Sequence, residues 1–130
     1  MVQAGSIQLT LITPERKVLE RTVDSVVIPA HDGELGVLRN RASLMCELGV
    51  GRLRFNTAEG PQQFFIDGGF AQVHANNVAL LTDQAIEAGD VNNELIAEYE
   101  QRADRAPQGG ADRLRARRRV SVLRVLRQTH

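Results

Sequence analysis

The 130-residue chain has one cysteine, no tryptophan, one tyrosine and one lysine, and its formal net charge is zero. One cysteine, Cys46, cannot close a bridge within the chain, so a disulfide framework is excluded. No apolar run approaches the ~18 residues a membrane-spanning helix needs. The first residues, Met1 to Gln8, show neither the basic segment nor the apolar stretch of a secretory signal. What remains, 42% hydrophobic and 25% charged residues, is ordinary globular composition and argues against wholesale disorder. The length fits one domain, or one small domain with an appendage. A soluble, cytoplasmic protein is the expectation.

The zero net charge hides a separation. Residues 1–86 carry seven basic and nine acidic groups, residues 87–104 one and six, and residues 105–130 eight and one. The three segments are therefore −2, −5 and +7, a block pattern that marks distinct segments.

The first segment reads as strands. Ile7, Leu9 and Leu11 alternate with Gln8 and Thr10, the period of a half-buried strand. Thr13-Pro14-Glu15 makes a turn. A β-branched run from Val23 to Ile28 stops at Pro29, His31-Asp32-Gly33-Glu34 turns the chain, and Leu35 to Leu38 follows. Leu53 and Phe55 alternate with Arg52 and Arg54, Asn56 to Pro61 reads as a loop, and Gln63 to Ile66 as another strand. Gly68-Gly69 is expected to break that strand at a bulge or sharp bend. Phe70, Gln72 and His74 alternate with Ala71, Val73 and Ala75. Asn76-Asn77 fits a tight hairpin turn before Val78 to Leu81. Short strands at this spacing predict a sandwich or barrel.

The remainder reads as helix. Asp90 or Asn92 caps a first helix, on which Leu95, Tyr99, Ala103 and Ala106 recur at helical spacing beside Ile96. Glu94 and Glu98 sit where the helix dipole favours negative charge. Pro107 and Gly109-Gly110 form a joint. A second helix spans Ala111 to Gln128, roughly 27 Å at 1.5 Å per residue. Two helices across a short joint predict a hairpin that needs a docking surface.

Catalytic patterns fail first. His31, His74 and His130 share no metal-ligand spacing with one another or with Cys46. Cys46 lies in the apolar run Leu44 to Leu48 and reads as a buried structural thiol. Gly49-Val50-Gly51 lacks the residues of a phosphate loop, and Asp32 with Glu34 resembles a calcium loop only in having two acids. The strongest feature is the arginine block: seven arginines and no acid in residues 113–130. On a helical wheel Arg113, Arg117, Arg124 and Arg127 share one narrow face. Leu114, Val122, Val125 and Leu126 lie opposite, interrupted by Arg115 and Arg118. A solvated or intrachain-paired face is one reading. A clamp on an acidic partner is another, because the guanidinium fork binds carboxylates bidentately. Nucleic acid is a third, weakened by the missing lysines and aromatics. A membrane surface is a fourth, weakened by the short apolar stripe.

Three motifs carry a family resemblance: Gly33-Glu34-Leu35-Gly36-Val37-Leu38, Phe64 to Val73 (FFIDGGFAQV), and Val78-Ala79-Leu80-Leu81-Thr82-Asp83. Together they resemble the epsilon subunits of F-type ATP synthases, strands first and helical hairpin last. The resemblance implies a mainly β plus α fold: an N-terminal flattened β-sandwich or barrel over residues 1–86, then a two-helix hairpin over 87–130 with a joint at about 106–110. It implies a non-catalytic rotor subunit of the central stalk, partnered by the gamma subunit, the c-ring and the catalytic beta subunits. Such a subunit is peripheral, on the cytoplasmic side of the bacterial inner membrane. Gly33, Glu34, Leu35 and Gly36 correspond to the c-ring-facing loop. Arg113, Arg117, Arg124 and Arg127 correspond to the segment that meets acidic residues of the catalytic subunits and can restrain ATP hydrolysis.

Two stretches depart from the family. Where it usually has Pro-Gly-His-Ala-Pro, this chain has Arg39-Asn40-Arg41-Ala42-Ser43, which relaxes φ constraints and adds two positive charges. Some relatives bind ATP through Ile-Asp-x-x-Arg-Ala; here Val91-Asn92-Asn93-Glu94-Leu95-Ile96 lacks both the acid and the arginine. No cofactor, specific ATP site or metal is therefore expected, and no nucleic acid. The alternative from another class is a small β-domain with an Arg-rich tail that binds nucleic acid. A β-sandwich enzyme acting on a small sugar or cyclic ligand is third, and no acid–base pair can be nominated for it.

Overall fold

Along β1 (Ile7–Ile12), Ile7, Leu9 and Leu11 are fully buried while Gln8, Thr10 and Ile12 stay half-exposed, the two-residue alternation of a strand with one face on a core. The structure is a computed structural model that describes residues 6–129. The start of the chain read for a signal, up to Gly5, and His130 lie outside the described residues.

Seven more strands follow: β2 (Lys17–Val23), β3 (Ser25–Ala30), β4 (Gly33–Val37), β5 (Leu44–Thr57), β6 (Gly60–His74), β7 (Asn77–Leu81) and β8 (Ala85–Glu87). They form one sheet in the order β2-β1-β7-β6-β5-β3-β4, with β8 added to β6. All pairings are antiparallel except β1 with β7. Residues from β1 through β7, among them Leu9, Val23, Ile28, Val37, Phe55, Ile66 and Leu80, converge on a single core. A flat sheet cannot bring one face of every strand together, so the sheet folds over itself as the flattened sandwich expected from the sequence. Two helices then pack on its outside, across β5 and β6.

Several local expectations are corrected. The run Val23 to Ile28 is not one strand: Val23 ends β2, and β3 begins at Ser25. Pro29 does not stop β3 but lies inside it, where pairing with β5 shifts register between Val27 and Ala30. That irregularity absorbs the missing N–H. The loop expected at Asn56 to Pro61 is a tight hairpin, since ladder pairing runs through Thr57↔Gly60. Asn76-Asn77 is displaced by one residue: the left-handed pair is Ala75 (φ 50°) and Asn76 (φ 64°), and Asn77 already pairs with His74.

Gly68-Gly69 does not break β6 either. Both have positive φ (72° and 107°), yet the ladder with β5 keeps its register from Leu48↔Gly69 to Val50↔Asp67. What changes is the neighbour on the other side, from β8 before the glycines to β7 after them. A Cβ on Gly69 would lie 1.9 Å from the Leu81 carbonyl oxygen, so only glycine lets β7 close on β6 here. Gly69→Ala should therefore lower unfolding stability by about 3 kcal/mol or more. Gly36→Ala, whose Cβ meets nothing within 4 Å, should stay within about 0.5 kcal/mol. Urea melts of the two variants check the difference.

Candidate functional site

Helix α1 (Asn93–Arg105) starts where Asn92, in extended conformation, accepts the Leu95 N–H on its side-chain oxygen at 2.8 Å. Of the two candidate caps, Asn92 is therefore the one used, while Asp90 closes a 3-10 turn at Ala88–Asp90. Arg102 and Arg105 lie in the last turn of α1, where the dipole favours cations. Ala106 leaves the helix in extended conformation, and Gly109 (φ 73°) reverses the chain. Helix α2 (Ala111–Thr129) then runs back along α1.

The hairpin is docked through a second core. Ile96, Tyr99 and Ala103 of α1 and Ala116, Val120, Leu123 and Leu126 of α2 close over Val50 of β5 and Phe65 of β6. Phe65 is fully buried and meets Tyr99 edge-on at 6.0 Å between ring centres, and the Arg102 guanidinium covers the Tyr99 ring at 4.9 Å. This corrects the apolar stripe read from the wheel. Leu114 is 77% exposed and Val125 41%, and only Leu126 and part of Val122 of that stripe are used. The buried stripe is turned toward the arginine face, and Ala116, Val120 and Leu123 complete it.

The four arginines of that face line the seam between the helices. Arg113 donates to the Ala106 carbonyl at 2.9 Å, Arg117 lies 3.5 Å from Asp104, Arg124 lies 2.6 Å from Glu100, and Arg127 bonds Asn93. The partners run backwards along α1 as the donors run forwards along α2, the order of an antiparallel pair. In the docked hairpin these arginines are thus matched within the chain. The next two arginines reach the sheet. Arg118 Nε donates to the Val50 carbonyl at 2.8 Å. Arg119 Nε lies 2.9 Å from Asp67 Oδ2, an ion pair in which the N–H is not aimed at the oxygen. Val50 and Asp67 are direct ladder partners, so consecutive arginines grip one rung of the β5–β6 ladder.

Magnitudes decide what holds the hairpin down. Fully burying a leucine is worth about 2 kcal/mol, and Leu123 and Leu126 are both fully buried. An exposed ion pair is worth roughly 0.2–1 kcal/mol, and the Arg117–Asp104 and Arg124–Glu100 side chains are about half exposed or more. The apolar layer supplies the docking energy; the arginine seam supplies register. Sequence reading missed Phe65, Val50, Asp67, Arg118 and Arg119 as members of this surface. One visible signal was the unbroken run Phe64-Phe65-Ile66, which a strand with a solvated face would not carry.

The other site, Gly33, Glu34, Leu35 and Gly36, is not the loop expected: the turn is confined to His31 and Asp32, and the four residues form most of β4, at the edge of the sheet. Leu35 packs on the inner core, and both Glu34 oxygens accept from Arg54 Nη2, at 3.0 and 2.9 Å. Cys46 is half-buried; burial first, and then the Asp32 charge, push its thiol above the usual range, the opposite of an activated nucleophile. His31 sits in the β3–β4 turn, and His74 Nδ1 lies 3.0 Å from the Ser43 hydroxyl. Among the described residues no three His, Cys, Asp or Glu side chains are grouped to hold a metal, and no helix is long and apolar enough to cross a membrane.

The docking layer makes two expectations. Leu123→Ala should cost about 2–5 kcal/mol of docking and free the α2 amides to exchange. Arg117→Gln with Arg124→Gln should cost about 1 kcal/mol or less. Hydrogen exchange resolved to α2 separates them. The second concerns pH. Burial, opposed by nearby Arg102, raises the Tyr99 hydroxyl above its usual value of 10.0. The folded state thus favours the neutral phenol. Its contribution is complete below pH 10 and is lost as pH rises through the folded value. Docking should loosen on that alkaline limb in the native chain and not in Tyr99→Phe, read by the same exchange.

Comparison with known proteins agrees with this architecture. Residues 6–88 match the family described as ATP synthase, Delta/Epsilon chain, beta-sandwich domain. An ATP synthase epsilon chain from Rhodopirellula baltica is 47% identical over 89 residues, covering 68% of this chain and 70% of that one. One from Syntrophobacter fumaroxidans is 36% identical over 120 residues, covering 92% and 90%. Among solved structures, a chain of the Euglena gracilis mitochondrial ATP synthase (OSCP/F1/c-ring, rotational state 1) superposes with a TM-score of 0.74 at 25% identity, covering 96% of this chain and 81% of that one. A chain of the Tetrahymena thermophila mitochondrial ATP synthase central stalk and c-ring shares the fold at a TM-score of 0.58 and 19% identity, covering 95% of each. A folded-over sheet with a docked helical hairpin and a family match over 6–88 make one assignment: the chain belongs to the ATP synthase delta/epsilon family, as an epsilon subunit of the F-type central stalk.

Proposed function

We propose that the chain is a non-catalytic rotor subunit, peripheral on the cytoplasmic side of a bacterial inner membrane, that couples the gamma subunit to the c-ring during ATP synthesis. The sandwich, residues 1–86, acts as a rigid adaptor, and torque passes through packed surfaces with no chemistry on this subunit. The edge segment Gly33 to Gly36 faces the ring. The hairpin, residues 87–130, is a two-state element hinged at about 106–110.

The observation that carries this reading is the division of labour in the docked hairpin. Apolar burial holds it down, while Arg113, Arg117, Arg124 and Arg127 engage only weak or neutral partners on α1 and its C-cap. Those partners can be exchanged for acidic loops of the catalytic beta subunits at little net electrostatic cost. A population shift then needs only a partner that binds the extended state better. In that state the helices restrain ATP hydrolysis. Deleting residues after Ala106 should raise the ATPase rate of the reconstituted complex; an unchanged rate would sink the inhibitory role. Co-purification of gamma and the c-ring with the tagged chain from native membranes tests the adaptor role separately.

A further inference from the structure

Helix α2 carries a single serine, at the centre of its arginine block: Arg117-Arg118-Arg119-Val120-Ser121. No other serine or threonine in the chain follows consecutive arginines. Ser121 is exposed and takes no part in the apolar layer. Serine is a poorer helix former than alanine at such a position. Its hydroxyl donates back to the Arg117 carbonyl at 3.2 Å, a bond that weakens a helix further. Residues three and four apart on a helix are neighbours, so Arg117, Arg118 and Arg124 all border this hydroxyl. It opens on a hollow of about 130 Å³ that Arg117 and Arg124 share with Glu100 and Asp104 of α1. The two arginines are held there only by exposed ion pairs, Arg117 at 3.5 Å from Asp104 and Arg124 at 2.6 Å from Glu100.

We propose that Ser121 is a phosphorylation site, for a kinase whose acidic substrate groove reads the arginines that precede the acceptor serine. Guanidinium groups at fixed steps before a hydroxyl are a charge pattern that carboxylates in such a groove can pair. The γ-phosphoryl group of a nucleoside triphosphate passes to Ser121 Oγ. An Oγ–P bond forms, the bond from that phosphorus to the β-phosphate oxygen breaks, the hydroxyl proton goes to the kinase's base, and nucleoside diphosphate leaves. The serine enters a kinase cleft as extended chain, so the reaction needs α2 opened locally, which an undocked hairpin permits. The product carries a charge of about −2 and strong acceptor oxygens. It draws Arg117 and Arg124 away from Asp104 and Glu100 and repels those carboxylates. The apolar layer is untouched, so the hairpin still docks. What is lost is the open basic face. In the extended state the phosphate occupies the arginines that would meet acidic loops of the catalytic subunits, and the restraint on ATP hydrolysis is relieved. The site stands on α2 itself; this consequence rests on the inhibitory reading above.

The test uses the full chain, MgATP and the catalytic subunit of cyclic-AMP-dependent protein kinase, whose substrate groove is acidic. Wild type should gain a single phosphoryl group, mapped to Ser121 by fragmentation mass spectrometry. Ser121→Ala, which should keep the wild-type melt, should gain none. Leu123→Ala, which frees α2, should be labelled at least about tenfold faster than wild type. Label that survives in Ser121→Ala, or no label on wild type and Leu123→Ala alike, overturns the site. The chain recovered with its complex from cells, under phosphatase inhibition, should carry the same group on the same peptide; that peptide found only unmodified through all growth phases overturns the site as well. Phosphorylated wild type should raise the ATPase rate of the reconstituted complex at least about twofold, the loss of two exposed ion pairs, and Ser121→Ala taken through the same reaction should not. If deletion after Ala106 raises the rate and phosphorylation does not, the regulatory inference fails and the inhibitory reading stands. If the deletion leaves the rate unchanged, that reading fails and the regulatory step fails with it.

Discussion

The rest of the structure depends on the β5–β6 ladder, because there both faces of the sheet must be covered. Strand alternation sends Phe64 and Ile66 into the inner core and Phe65 to the outside. Phe65 and Val50 can be buried there only by something laid across the sheet, and the hairpin is what lies across it. Uncovering a buried phenylalanine costs about 2–3 kcal/mol. A hairpin that leaves this rung must therefore be compensated by another apolar surface on Phe65 and Val50, by new partners for its own stripe, or by both. The two-state behaviour proposed for the hairpin is thus a competition for one apolar patch.

Much of the sandwich was legible because its strands have one wet face. Ile7, Leu9 and Leu11, and later Leu53 and Phe55, show the alternation directly. The departures have physical causes. Pro29 reads as a stop because a proline cannot donate in a regular ladder, but a register shift at that point removes the need for the donor. Gly68-Gly69 reads as a break because glycine weakens strands; here glycine at position 69 is demanded by the close approach of Leu81 and Thr82. Strand β2, at a sheet edge, sets Val18 beside Leu19 and Glu20 beside Arg21, so no two-residue period stands out, and β8 is three residues long. These depend on what pairs with what, which local pattern does not carry.

The helical layer was half legible. The wheel placed Arg113, Arg117, Arg124 and Arg127 together correctly, because charge on a face needs no knowledge of the partner. It misplaced the buried stripe by weighing Leu114 and Val125 as core. Small residues decide where two helices approach, and Ala103 and Ala116 occupy the seam while Leu114 faces water. Arg118 and Arg119 looked like interruptions of an apolar side. They are the contacts to Val50 and Asp67, and only the ladder pairing of those two residues explains why adjacent arginines can serve both.

The −5 and +7 segments lie side by side in the docked hairpin, where Arg117 meets Asp104 and Arg124 meets Glu100. Because these pairs stay exposed, each is worth so little that replacing α1 carboxylates by a partner's changes the energy by less than burying or exposing a single leucine. Charge then cannot set which state is populated; it sets which surfaces fit each state, by register along the seam and by sign on the partner. The choice between states falls to apolar cover on Val50 and Phe65. Under the two-state proposal, a basic helix and an acidic helix serve one hairpin better than two neutral ones would: the docked state keeps its arginines matched within the chain, the extended state would match them to a partner's carboxylates, and neither needs a desolvated charge.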